Sequence, residues 1–233
     1  MSELLVIDTE RGIYPRQEAN TNIQQTTCES SIQTESSDTI IINTDVVKPK
    51  PPACFDIFGE QADILKKPVP YVELKLPSKE VHDIVYRMFQ TAERINALGL
   101  SANQCGVMAR ILILNFATYK EVFLDPRIVF SSDNETSCYE YNSSYPALKL
   151  KISRPEWIEV QYKNMRGDLM NARLEDAHAR YFLHHLELLD GIPFTNKVGK
   201  TALNIARQRQ KKQLKGLDAT RMLNSLNESN KNV

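Results

Sequence analysis

Histidine, glutamate and cysteine are the residues here with the chemistry for a metal site or a nucleophile, and few of them are spaced for it. His184 and Glu187 are three positions apart, so on a helix they share a face and could hold one ion between them. His185 would point roughly 100° away from that face, and His178, six positions before His184, falls on another. A packing arrangement competes with the two-ligand site. Ala177, Tyr181, His184 and Leu188 recur at i, i+4, i+7 and i+11, which predicts a buried seam with a hydrogen-bonded His184 and with Leu188 filling space. The packing arrangement is the expected one. Cys105 lies in an apolar run with no evident base or cation beside it, so a packed thiol is expected rather than a nucleophile. Cys28, Cys54, Cys105 and Cys138 show neither zinc-knuckle spacing nor a disulfide framework.

The elements that must position these residues begin after a long polar stretch. Thr21 to Asp45 is mainly Thr, Ser, Gln, Asn, Glu and Asp, and it closes on the proline-rich Lys48–Pro52. Such a composition cannot bury enough apolar surface to offset its ordering entropy, so residues 1–55 are expected to be an extended or disordered arm. Its apolar islands, Leu4–Ile7 and Ile40–Ile42, have the length of short strands. Beyond it, Pro77 to Ala97 carries Val81, Ile84, Val85, Met88, Phe89, Ala92 and Ile95 at helical spacing, with Ser78 placed as an N-cap. Strands are expected over Arg110–Phe116, Glu121–Phe130 and Pro155–Tyr162. A turn at Lys163–Asp168 should lead to a second helix, about Leu174 to Leu189, stopped by Asp190-Gly191. A domain over 56–207 and a polar C-terminal helix or tail over 208–233 complete the chain. The fold class is α+β.

Composition excludes several functions. The chain has 29 Lys and Arg against 29 Asp and Glu, so no global field draws in nucleic acid or an anionic membrane. No stretch approaches the roughly 20 apolar residues of a membrane span. The N-terminal Met1–Asp8 is acidic where a signal peptide needs positive charge, so a reducing, aqueous compartment is expected.

Three segments, in order, resemble the peptide deformylases, metalloenzymes that remove the formyl group from N-terminal methionine. Gly99-Leu100-Ser101-Ala102-Asn103-Gln104 is similar to the family's glycine-rich segment, in which Gln104 would donate to an oxyanion. The alternative for Gln104 is a polar group hydrogen-bonded within the old cleft, and that is the expected one. Glu140-Tyr141-Asn142-Ser143-Ser144-Tyr145-Pro146 is similar to the second segment, with Asn142 at the position of the family's metal-binding cysteine. Ala179-Arg180 and His184 to Gly191 are similar to the third. The resemblance puts His184 at the first histidine ligand, His185 at the general acid–base glutamate, and Leu188 at the second histidine ligand.

The resemblance therefore implies a deformylase-like fold, mixed or antiparallel strands around a central helix, with only His184 retained among the three ligands. It implies no metal, no cofactor and no catalysis. The expected function is a non-catalytic scaffold, a structural or assembly protein such as a phage tail or baseplate component, whose N-terminal arm binds neighbouring proteins. A deviant metal-dependent deformylase or hydrolase, or a module that holds formyl-methionine peptides, is the alternative. Tyr139, Tyr141 and Tyr145 are separated by even numbers, which predicts one shared strand face and a possible binding surface.

Overall fold

The computed structural model describes residues 6–8, 12–14 and 54–231, with side chains over 54–217. The chain divides into two units, residues 1–52 and 53–233. In the first unit β1 (Val6–Asp8) and β2 (Gly12–Tyr14) pair antiparallel, Val6 opposite Tyr14 and Ile7 opposite Ile13. Val6 and Ile7 of the first apolar island thus form a strand, while Ile40–Ile42 and the stretch from Thr21 to Pro52 lie outside the described residues.

In the second unit, α1 (Lys79–Arg94) starts where the Ser78 hydroxyl accepts from the Val81 amide at 3.4 Å. Its apolar stripe buries Val81, Val85, Met88 and Ala92. Then come β3 (Gly99–Ser101), β4 (Ile111–Asn115), β5 (Lys120–Ser131), β6 (Glu135–Glu140), β7 (Leu150–Pro155), β8 (Trp157–Lys163) and β9 (Leu169–Glu175). Helix α2 (Asp176–Leu189) follows, and α3 (Lys200–Lys231) ends the described chain. Five strands form one antiparallel sheet in the order β3-β4-β5-β8-β9, and β6 and β7 form a separate ribbon.

Period-2 alternation sorts β4 between two cores. Leu112 and Leu114 pack with Phe123, Ile158 and Val160 against Phe182, Leu183, Leu186 and Leu189 of α2. Ile111 and Ile113 pack on the other side with Leu100, Val122 and Leu124 against α1. A third cluster, Tyr145, Leu148, Leu150, Ile152, Phe194 and Ala206, seats α3 on the ribbon.

Four expectations need correction. Leu174 belongs to β9, opposite Ile158, and the Lys163–Asp168 turn closes a β8–β9 hairpin instead of opening α2. Met170, Ala172 and Leu174 alternate with Asn171, Arg173 and Glu175, a period-2 pattern that the helical reading from Leu174 passes over. Of the ribbon, a strand is expected only around Tyr139–Tyr145, whereas β6 runs over Glu135–Glu140; β7 has no counterpart in the expectations, because a buried arginine at Arg154 hides the alternation of Leu150 and Ile152. Gln208 lies inside α3, which begins at Lys200, so no element boundary falls at 207/208. Tyr139 and Tyr141 are exposed but Tyr145 is buried on Phe194, because the strand ends at Glu140 and parity is lost beyond it.

Candidate functional site

From Ala179 onward α2 is buried on nearly all sides, since sheet and ribbon enclose it. The expected seam is therefore only part of the helix. His184 and Leu188 are buried, whereas Ala177 is exposed and Tyr181 half-buried. His184 meets a carboxylate and an amide. Its Nδ1 lies 2.8 Å from Glu140 Oε2, and its Nε2 lies 2.7 Å from Asn142 Nδ2.

The surrounding donors fix which atoms carry hydrogen. Asn142 Oδ1 accepts from the Ser144 amide at 2.7 Å and from Gln104 Nε2 at 3.1 Å, so the Asn142 NH2 group must face His184. His184 Nε2 is then the acceptor, and Nδ1–H donates to Glu140. Gln104 has no donor left for a reacting group, because its NH2 also reaches Ser144 Oγ at 3.1 Å. Its Oε1 accepts from the Ser101 amide and hydroxyl, at 3.2 and 3.1 Å, within the short 3-10 turn at Ala102–Cys105. Gln104 is hydrogen-bonded inside the cleft.

Glu140, the last residue of β6, anchors the group. Besides His184 it accepts from Arg154 Nε at 2.5 Å and Nη2 at 3.0 Å, and from Arg180 Nη1 at 2.8 Å. Burial pushes the Glu140 pKa up, but the hydrogen bonds from His184 and Arg154 and the charge of Arg154 outweigh it and hold the carboxyl at about 2. Arg180 also donates to the carbonyls of Ile152 and Thr136, tying α2 to both ribbon strands. Arg154 forms an ion pair with Glu187 at 3.0 Å, without the alignment of a hydrogen bond. Sequence reasoning gave no role to Arg154. The signal was its place in the buried register of β7 after Leu150 and Ile152.

His185 takes no part in this network. It is buried, its Nδ1 has no hydrogen-bond partner, and burial holds its pKa well below 6.5, with the neighbouring His184 adding to the effect. Its ring edges onto Gly99, where a Cβ would come within 2.8 Å of the imidazole and 2.9 Å of the Ile113 carbonyl oxygen. His185, Gly99, Leu98, Tyr141, Asn142 and Ser143 line a cleft of about 340 Å³ between the β3 edge and the segment after β6. Cys105 is buried and its thiol is pushed up to about 12 by burial, an inert packed side chain at neutral pH. Leu188 is fully buried, and its carbonyl accepts from Asn103 Nδ2 at 2.7 Å.

This layout defines an α+β cleft protein built on one central helix. The polypeptide deformylase family model matches residues 55–204, and the chain belongs to the peptide deformylase family. It is 26% identical over 157 residues to a peptide deformylase-like protein of Rickettsia conorii, covering 66% of this chain and 85% of that one. It is 28% identical over 166 residues to a peptide deformylase of Aquifex aeolicus, covering 69% and 96%. A peptide deformylase from Legionella pneumophila superposes with a TM-score of 0.65 at 24% identity, over 72% of this chain and 98% of that one. One from Synechococcus elongatus in complex with actinonin gives 0.64 at 25% identity, over 70% and 90%.

The donors present do not fit the metal that this family implies. The Nε2 lone pair of His184 accepts from an amide, the Asn142 oxygen is taken by two donors, and Leu188 offers no ligand atom. Among the described residues no three His, Cys, Asp or Glu side chains converge on one point. Also among them, no helix is long and apolar enough to cross a membrane.

Proposed function

We propose that this chain is a non-catalytic member of the deformylase family, acting as a structural or assembly protein. The carrying observation is the 2.7 Å contact of Asn142 Nδ2 with His184 Nε2. A hydrogen bond occupies the direction in which a ligand histidine would offer its lone pair, and the network behind it is satisfied as a structural core would be. With His185 in place of the acid–base carboxylate and its basicity lowered by burial, the cleft lacks a strong general base. Within this reading the arm over residues 1–55 supplies contacts to neighbouring proteins in a larger particle, such as a phage tail or baseplate.

The test is turnover of a formyl-methionyl peptide by the full chain, with and without added zinc, iron or nickel. Release of formate at the buffer rate is expected in every case. Metal-dependent turnover above that rate overturns the proposal. A second reading draws on the 340 Å³ cleft, in which the chain holds an N-terminal methionine peptide without cutting it. Calorimetric titration with that peptide separates the two.

A further inference from the structure

Charge in this chain is segregated. Residues 200–217 of α3 carry Lys200, Arg207, Arg209, Lys211, Lys212 and Lys215 and no acidic residue. Residues 17–47 carry Glu18, Glu29, Glu35, Asp38 and Asp45 and no basic residue. The zero net charge of the whole chain conceals both blocks.

The helix leaves the domain early. Leu203, Ala206 and Gln210 are its inward residues, with Gln210 Nε2 donating to the Pro146 carbonyl at 2.7 Å. Arg207 pairs with Glu60 at 2.6 Å. Every residue from Lys211 to Leu217 is exposed. From Lys211 to Lys231 the helix runs on for about 31 Å at 1.5 Å per residue. Helices without a packed face are marginal in water, so a length of this kind gains most of its stability from a covering partner. Leu214 and Leu217 continue the inward stripe of Leu203, Ala206 and Gln210, yet they are 37% and 50% exposed. Among the described residues no acidic side chain pairs with Arg209, Lys211, Lys212 or Lys215.

We propose that the exposed surface of α3 over residues 209–217 is a docking site for the acidic segment 17–47 of a second copy of this chain. Five carboxylates of that segment match the helix's cations, and Ile40-Ile41-Ile42 matches Leu214 and Leu217 as an apolar centre among charges. A nucleic acid fits less well, because 205–217 offers no aromatic side chain for bases to stack on. The inference goes beyond the proposed function: it names the partner surface and does not depend on metal or turnover, so either can fail alone.

Sedimentation velocity of the full chain tests it. At about 50 mM salt the chain should associate as its concentration rises, and at about 500 mM it should not, since exposed charge pairs are screened. Arg209→Glu, Lys211→Glu, Lys212→Glu and Lys215→Glu together should weaken association about 100-fold. These positions are exposed, so circular dichroism should be unchanged, and the same four positions changed to Ala provide a second variant if it is not. Glu29→Lys, Glu35→Lys, Asp38→Lys and Asp45→Lys should do likewise, and the two sets combined should restore association. A chain that stays monomeric at low salt, or an association indifferent to both sets, overturns the proposal. So does retention of an RNA oligomer that depends on the helix set alone.

Discussion

Helices α2 and α3 differ in almost every respect that decides what a helix is for. From Ala179, α2 is enclosed by sheet and ribbon, and even its polar residues Arg180, His184 and His185 are buried. Helix α3 is seated by a few residues and from Lys211 to Leu217 touches none of the domain closely enough to be covered. Where an enzyme of this family would open a site on its central helix, this chain closes the position with hydrogen bonds. Where it has surface to offer, it offers a charged helix. The central helix stabilises the fold, and the exposed one carries the docking surface proposed above.

That contrast can be broken most sharply at Glu140. Glu140→Ala removes the acceptor shared by Arg154, Arg180 and His184 and leaves two guanidinium groups buried without it. Breaking a buried ion pair by removing one partner costs about 3–5 kcal/mol. Thermal unfolding should move down by about 10 °C, at about 2–4 °C per kcal/mol for a chain of this size. A midpoint within a degree or two of the unchanged protein would show that the network does not hold α2 to the ribbon.

Acid should act on the same network. The Glu140 carboxyl is held at about 2 in the folded chain, below its ordinary 4.5, so the stability it supplies is full above pH 4.5 and is lost as pH falls toward 2. The amount is about 3 kcal/mol at about 1.4 kcal/mol per pKa unit. His185 acts in the same direction but higher, because its folded pKa lies below 6.5 and the unfolded chain takes up the proton first. Glu121 opposes it. Burial raises that carboxyl to about 7, so its contribution falls as pH rises from 4.5 to 7. Urea midpoints from pH 8 to 4 in the Glu121→Gln variant should therefore decline from about pH 6.5, and adding His185→Gln should flatten that upper limb. A decline that begins at the same pH without His185 would assign it elsewhere.

Gly99→Ala tests the seat of His185. The new methyl would meet the Ile113 carbonyl oxygen and the imidazole, and overpacking of this kind costs about 1–3 kcal/mol. A denaturation curve that does not move would mean that the β3 edge yields. Smaller still is Gln210→Ala, which removes one hydrogen bond to Pro146 and should cost about 1 kcal/mol. Lys212→Ala, two residues on, should change stability by less than about 0.5 kcal/mol, since it lies on the exposed overhang.

Much of the architecture was legible because burial is one-sided. The stripe from Val81 to Ile95 reads as a helix because α1 covers the sheet with one face. Strands β4, β5 and β8 read as strands because their apolar residues are dense. The ribbon was legible only at Tyr139. Most of β6 is exposed and polar, and β7 places an arginine where periodicity requires an apolar residue. At the site, the resemblance to the deformylases brought Gln104, Asn142, His184, His185 and Leu188 together; the structure joins Gln104, Asn142 and His184 by hydrogen bonds, puts Asn142 and His185 on one cleft, and ties Leu188 to Asn103 beside Gln104. What spacing could not give was the role of Arg154, because its partner Glu140 lies on the other ribbon strand, four positions along from Thr136, the residue opposite Arg154.

If hydrogen bonds stand where a metal would be held, as proposed, metal content is the most direct test. The full chain, purified without chelator and then dialysed against a weak one, should carry far less than one equivalent of zinc, iron or nickel by elemental analysis. Among the described residues no three His, Cys, Asp or Glu side chains converge as ligands of a zinc site do. Asn142→Cys, His185→Glu and Leu188→His introduced together should raise the content toward one equivalent, because His184 is already in place. One tightly held ion per unaltered chain, reproducible across preparations, would contradict the account.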